Sequence, residues 1–77
     1  MVPDATLDAG EAGCGELVML VARAVRTLAP GQLLEVAAYD LAAGLDLPAW
    51  CRSTGHRLVH VDATTNPQRF LIRKRSV

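Results

Sequence analysis

The chain is 77 residues long, 51% of them hydrophobic, with eight basic and eight acidic side chains. That length fits one domain, residues 1–77, whose core is too small to wall in a large cofactor, so a reactive group is expected at the surface. A formal net charge of zero argues against general nucleic-acid binding, and Arg23 and Arg26 break up the one long apolar run, "LVMLVARAV", before it can span a membrane.

In chain order, "ATLDA" at 5–9 reads as a short first strand. A glycine-rich loop follows. Glu16 to Leu28 then reads as a helix, with Val18, Val21, Val25 and Leu28 on one stripe and Arg23 and Arg26 off it. "APG" at 29–31 stops that helix. "QLLEVAAYD" alternates Leu34, Val36 and Ala38 on one side with Leu33, Glu35, Ala37 and Tyr39 on the other, as a partly buried strand does, and ends at Asp40. Beyond "LAAG", Asp46 is the expected N-cap of a helix through "LPAWCRST", with Pro48 in its first turn and Gly55 as its stop. "HRLVHVDA" and "RFLIRK" are alternating strands joined by "TTNPQ".

The order βαβαββ predicts an α+β fold: a two-layer α/β sandwich in which a four-stranded mixed sheet carries two helices on one face. The other face is then less covered. Both helices follow strands in the same sense, so their N-termini should approach a common edge. Charge is unevenly spread along the chain. Residues 1–51 sum to −5 and residues 52–77 to +5, which suggests two oppositely charged surfaces and docking to protein partners by complementary charge.

Cys14 stands between Gly13 and Gly15 where the first helix opens. Unpaired N–H groups and the helix dipole stabilise a thiolate there, although Glu16 competes for the same dipole. From position alone, a reactive thiol and a small buried residue at the head of the stripe are both open readings. Cys51, beside Trp50, reads as a residue packed near the sheet. A redox pair of the two cysteines needs Cα atoms within ~7 Å. His56 and His60 lie four apart on a strand, about 13 Å, too far for one metal ion. Trp50 reads as core or as a docking residue near the helix start, and Arg73, Lys74 and Arg75 as a solvated strand end.

Several landmarks agree in order: "LD" at 7–8, Cys14 opening a helix, "PG" before "LLEV", Asp40 at a strand end, "DLPAWCRSTGH" at 46–56, and "RFLIRK". Together they resemble the TusA-type sulfur-carrier family over nearly the whole chain. The resemblance implies a two-layer α/β protein that accepts sulfur as a persulfide on Cys14 and passes it on. The donor would be a protein such as a cysteine desulfurase. The receiver would be an acceptor protein in tRNA thiolation, cofactor synthesis or sulfur oxidation, with tRNA-modifying machinery met only indirectly.

Gly13, Gly15 and Glu16 would form the supporting loop, and Asp46, Trp50 and Arg52 would face partners. No metal, organic cofactor or membrane is implied. The N-terminal "MVPDATLDAGEAG" lacks the basic start and apolar stretch of a signal peptide, so the expected compartment is the cytosol. The family's Cys-Pro-x-Pro signature is here Cys14-Gly15-Glu16-Leu17, and its preceding Arg-Gly-Leu is replaced by "GEA" at 10–12. Restoring proline at both 15 and 17 is expected to stiffen the loop and leave the domain folded. The alternative, from a different class, is a non-catalytic interaction module that keeps the fold.

Overall fold

In the computed structural model, which describes residues 2–76 with Cys14 through its backbone alone, six elements follow in the order β1 (Ala5–Asp8), α1 (Cys14–Arg26), β2 (Leu33–Ala38), α2 (Ala43–Thr54), β3 (Arg57–Asp62) and β4 (Gln68–Arg73). The strands form one mixed sheet in the order β1-β2-β4-β3, with β1 parallel to β2 and β4 antiparallel to both β2 and β3. The βαβαββ order and the mixed four-stranded sheet are as the alternation of apolar residues predicts.

Strand period sets which side chains reach the helices. Leu34, Val36 and Ala38 of β2 and Phe70 and Ile72 of β4 share one buried cluster with residues of both helices. Both helices therefore cover the same sheet face. Fully buried Leu17, Leu34, Leu47 and Phe70 head that core, each contributing about 1.5–3 kcal/mol by leaving water. Leu33 and Leu71 point the other way, buried outside the cluster, on the face where Glu35 and Arg69 make a 3.4 Å ion pair.

Details of both helices differ from the sequence reading, beginning with the bounds of α1, which runs Cys14–Arg26 and so starts and ends two residues before the expected Glu16 and Leu28. The buried stripe of α1 is Leu17, Val21 and Val25, continued by Leu28 beyond its end, while Val18 is only half-buried. Leu17 and Val18 are adjacent, and the packing of α1 on the sheet, not the period, chooses between their phases. A further correction concerns α2, which begins three residues before Asp46. Asp40 turns the chain into it: Asp40 Oδ1 accepts the Ala42 N–H at 2.9 Å and the Asp40 carbonyl accepts the Ala43 N–H at 3.0 Å. Ala42 is the N-cap, and the Asp46 N–H is already bonded to the Ala42 carbonyl at 2.9 Å. Pro48 accordingly lies inside the helix, where it omits the bond to the Gly44 carbonyl. Gly55 ends α2 as expected, at φ 85°, with its N–H on the Cys51 carbonyl at 2.9 Å.

Candidate functional site

The two helices run in the same direction and open at the end of the sheet where β1 and β2 finish. Their starts meet there. A Cβ built on Gly13 would lie 3.0 Å from Asp40 Oδ2, so a larger residue before α1 would press on the carboxylate that starts α2.

The loop from β1 to α1 is tied down along its length. Ala9 donates to the Ala37 carbonyl at 2.9 Å, Asp8 Oδ1 accepts the Gly10 N–H at 2.8 Å, and Tyr39 donates to the Gly10 carbonyl at 3.3 Å. Gly10 takes φ 56°, a conformation in which a Cβ is strained. Ala9 and Ala12 are buried, and Ala12 donates back to the Ala9 carbonyl at 3.1 Å. The chain thus reaches Gly13 in one path.

Cys14 is the first residue of α1, and its side chain lies outside the described residues. Gly13, the N-cap, has no side chain to offer, so no side-chain cap occupies the first-turn amides. Gly15 is exposed, with nothing within 4 Å of a Cβ placed on it, and Glu16 is exposed beside it. The next residue anchors the turn: Leu17 is fully buried and its N–H meets the Gly13 carbonyl at 2.7 Å. This corrects the expectation that proline at 17 is harmless, because Leu17 is a core residue whose amide is in use.

Cys51 is a free thiol inside the core, 4% exposed. Burial pushes its pKa up to about 11, so it stays protonated and unreactive near neutrality. It lies eight residues into α2, about 12 Å along the axis from the helix start. The shared edge of the helix starts therefore does not bring it toward the head of α1.

The three residues expected to face partners do not gather in one place. Asp46 lies in the first turn of α2 at the common end, with Oδ2 buried and lacking a hydrogen-bond partner among the described residues. Trp50 lies about 10 Å along the helix axis from the start of α2. It packs against the core, with its ring 5.1 Å from that of His56. Arg52 is exposed in the last turn. Trp50 is thus not beside the helix start. His56 precedes β3, where its Nδ1 accepts the Arg75 N–H at 3.0 Å, and His60 is an exposed rung of β3. Among the described residues, no group of three or more His, Cys, Asp or Glu side chains is placed to hold a metal ion, and no helix is long and apolar enough to cross a membrane.

The charge asymmetry of the sequence becomes an asymmetry of the two ends. Asp8, Glu11, Glu16, Asp40, Asp46 and Asp62 lie toward the end where the helices open. Arg23 and Arg26 close α1, Arg52 closes α2, and Arg57 and Arg73 to Arg75 lie at the same far end. The sequence split at residue 51 missed this because the C-terminal ends of β1, β2 and β3 and both helix N-termini share one end whatever their place in the chain, while antiparallel β4 finishes at the other. Compared with known protein families, residues 5–74 match the model of the family described as Sulfurtransferase TusA.

Proposed function

The chain belongs to the sulfurtransferase TusA family, and we propose that Cys14 is the residue on which it carries sulfur, as a persulfide taken from a donor protein and given to an acceptor protein. The family's general role is that of a sulfur carrier or sulfurtransferase. The observation that carries the residue assignment is the position of Cys14 as the first residue of α1, at the end where both helices open.

The chemistry needs a thiolate that a second protein can reach. The Cys14 thiolate attacks the terminal sulfur of a donor persulfide, whose S–S bond breaks as the donor thiolate leaves with the electron pair. Cys14 then carries the persulfide. An acceptor thiolate attacks the terminal sulfur in turn and Cys14 departs as thiolate, so sulfur moves without an external oxidant or reductant. First-turn amides with no side-chain cap, and the positive end of the helix dipole, favour the anionic form at each stage. The open space beside Gly15 admits a partner's sulfur.

Where relatives with Cys-Pro-x-Pro fix the helix start with prolines, this chain uses other means. Leu17 is buried, its amide is bonded to Gly13, and the loop from Asp8 to Ala12 is hydrogen-bonded to β2 and within itself. These contacts support a defined backbone at Cys14 without either proline. The acidic surroundings favour a donor, such as a cysteine desulfurase, and an acceptor that each present basic side chains around their own thiol. A persulfide carrier works where thiols stay reduced, and we place this one in the cytosol.

A transfer assay tests the reading. A desulfurase supplied with radioactively labelled cysteine should load wild type and Cys51→Ser but not Cys14→Ser. Adding an acceptor thiol should then discharge the loaded protein. Equal loading of Cys14→Ser would place the carrier site elsewhere.

A further inference from the structure

At the end of the molecule away from Cys14, Arg57 of β3 and Arg73 of β4 stand directly opposite each other, both exposed. Like charges at facing positions destabilise a sheet. Neither arginine is in an ion pair among the described residues, whose single salt bridge is Glu35–Arg69. The two border a groove of about 380 Å³ completed by Gly31, Lys74, Arg75 and Ser76.

The frame of this groove is braced. Gly31 donates to the Lys74 carbonyl at 2.9 Å and Lys74 donates to the Gln32 carbonyl at 2.9 Å, which ties the end of β4 to the loop after α1. The Lys74 ammonium is fixed on the Leu28 carbonyl at 2.6 Å. Arg75 lies across Gly55, with Nη1 on the Thr54 carbonyl at 2.8 Å and its backbone N–H on His56 Nδ1. The same cations, after desolvation, hold the His56 pKa below its ordinary value, so the potential at this end is felt by a neighbouring group. Asp4, the nearby acid, already accepts the Leu33 N–H at 2.8 Å.

We propose that this groove docks an acidic segment of a partner protein, whose carboxylates are taken by the guanidinium groups of Arg57, Arg73 and Arg75. A guanidinium receives a carboxylate through two parallel hydrogen bonds, and a frame already fixed by backbone bonds loses little freedom on binding. A long nucleic acid fits less well, because no aromatic side chain lines the groove and the far end of the molecule is acidic. The surface is separate from Cys14, so an acidic partner can hold the protein here while the cysteine end is engaged. This proposal does not rest on the sulfur chemistry.

The probe is a fluorescein-labelled decaglutamate peptide, titrated with the full chain at low salt and read by fluorescence anisotropy. Binding should occur and weaken steeply as salt is raised. Arg57→Glu with Arg73→Glu should lower affinity at least about tenfold, whereas Glu11→Gln at the other end should leave it unchanged. Should the double variant not fold, amide chemical shifts of the wild-type chain decide: the peptide should move residues 57 and 73–75 most. No binding at low salt, shifts centred on the acidic end, retained affinity in the double variant, or tighter binding of an oligouridylate of equal charge would each overturn the proposal.

Discussion

Replacing Leu17 with proline separates two ways of fixing the helix that begins at Cys14. Leu17 is 0% exposed and its N–H meets the Gly13 carbonyl at 2.7 Å. Proline removes that hydrogen bond, a net loss of about 1 kcal/mol. It also shortens a fully buried side chain, for which the lower part of the 2–5 kcal/mol range of large-to-small core changes applies. The expected loss is about 3 kcal/mol, a large share of the roughly 4–12 kcal/mol total for a domain of this size.

Gly15→Pro is a different matter. Nothing lies within 4 Å of a Cβ there. Proline lowers the entropy of the unfolded chain, a gain of about 0.4–1 kcal/mol. It also disfavours helical geometry at Cys14, shifting that residue toward the N-cap and weakening the Leu17–Gly13 bond. The two effects are of similar size, so stability should stay within about 1 kcal/mol of wild type. Urea unfolding followed by circular dichroism, with m near 1 kcal/mol/M, should put the Leu17→Pro midpoint roughly 2 M or more below that of Gly15→Pro. Equal midpoints would refute the claim that Leu17 anchors the helix start.

Gly13→Ala should cost roughly 0.5–1.5 kcal/mol, because its Cβ meets Asp40 Oδ2 at 3.0 Å; the penalty should shrink in an Asp40→Ala background, as a double-mutant cycle in urea would read. Cys51, with its pKa raised by burial to about 11, should resist iodoacetamide at neutral pH until the chain unfolds, while Cys14 labels first by peptide mapping. Its folded pKa exceeds the unfolded value, so the stability it contributes is complete below pH 9 and lost as pH rises toward about 11, which unfolding curves across that window would detect. His56 has its pKa lowered by desolvation and by Arg75 and Lys74. Its stability contribution is present above the ordinary value and lost as pH falls through the folded pKa, and an NMR titration should place its midpoint below 6.5.

The strands are legible in the sequence because alternation of apolar residues is a local signal: the pattern puts Leu34, Val36 and Ala38 on one side of a strand, and the fold makes that side fully buried. Helix phase and helix starts were less so. Leu17 and Val18 are equally apolar, and only packing on the sheet decides between them. Asp46 has the chemistry of a cap, yet Asp40, six residues earlier, begins α2, because Ala42 to Leu45 can join a helix once the chain has been turned. The approach of Gly13 to Asp40, the loop bonds that replace the missing prolines, and the facing arginines at 57 and 73 are long-range relations with no local signature. Cys14 stands out by its place before a helix, a position that suits a reactive thiol and a small buried residue alike, and the resemblance to the family favours the first.

The central claim, that Cys14 is the carrier residue, is tested most directly by mass. After incubation with a cysteine desulfurase and cysteine, the intact protein should gain one sulfur atom, about 32 Da, and peptide mapping should put it on Cys14. The gain should be absent in Cys14→Ser and present in Cys51→Ser. If a TusA-type protein with an intact Cys-Pro-x-Pro motif is loaded in the same reaction while this chain stays unmodified, or if the added sulfur maps to Cys51, the claim is contradicted.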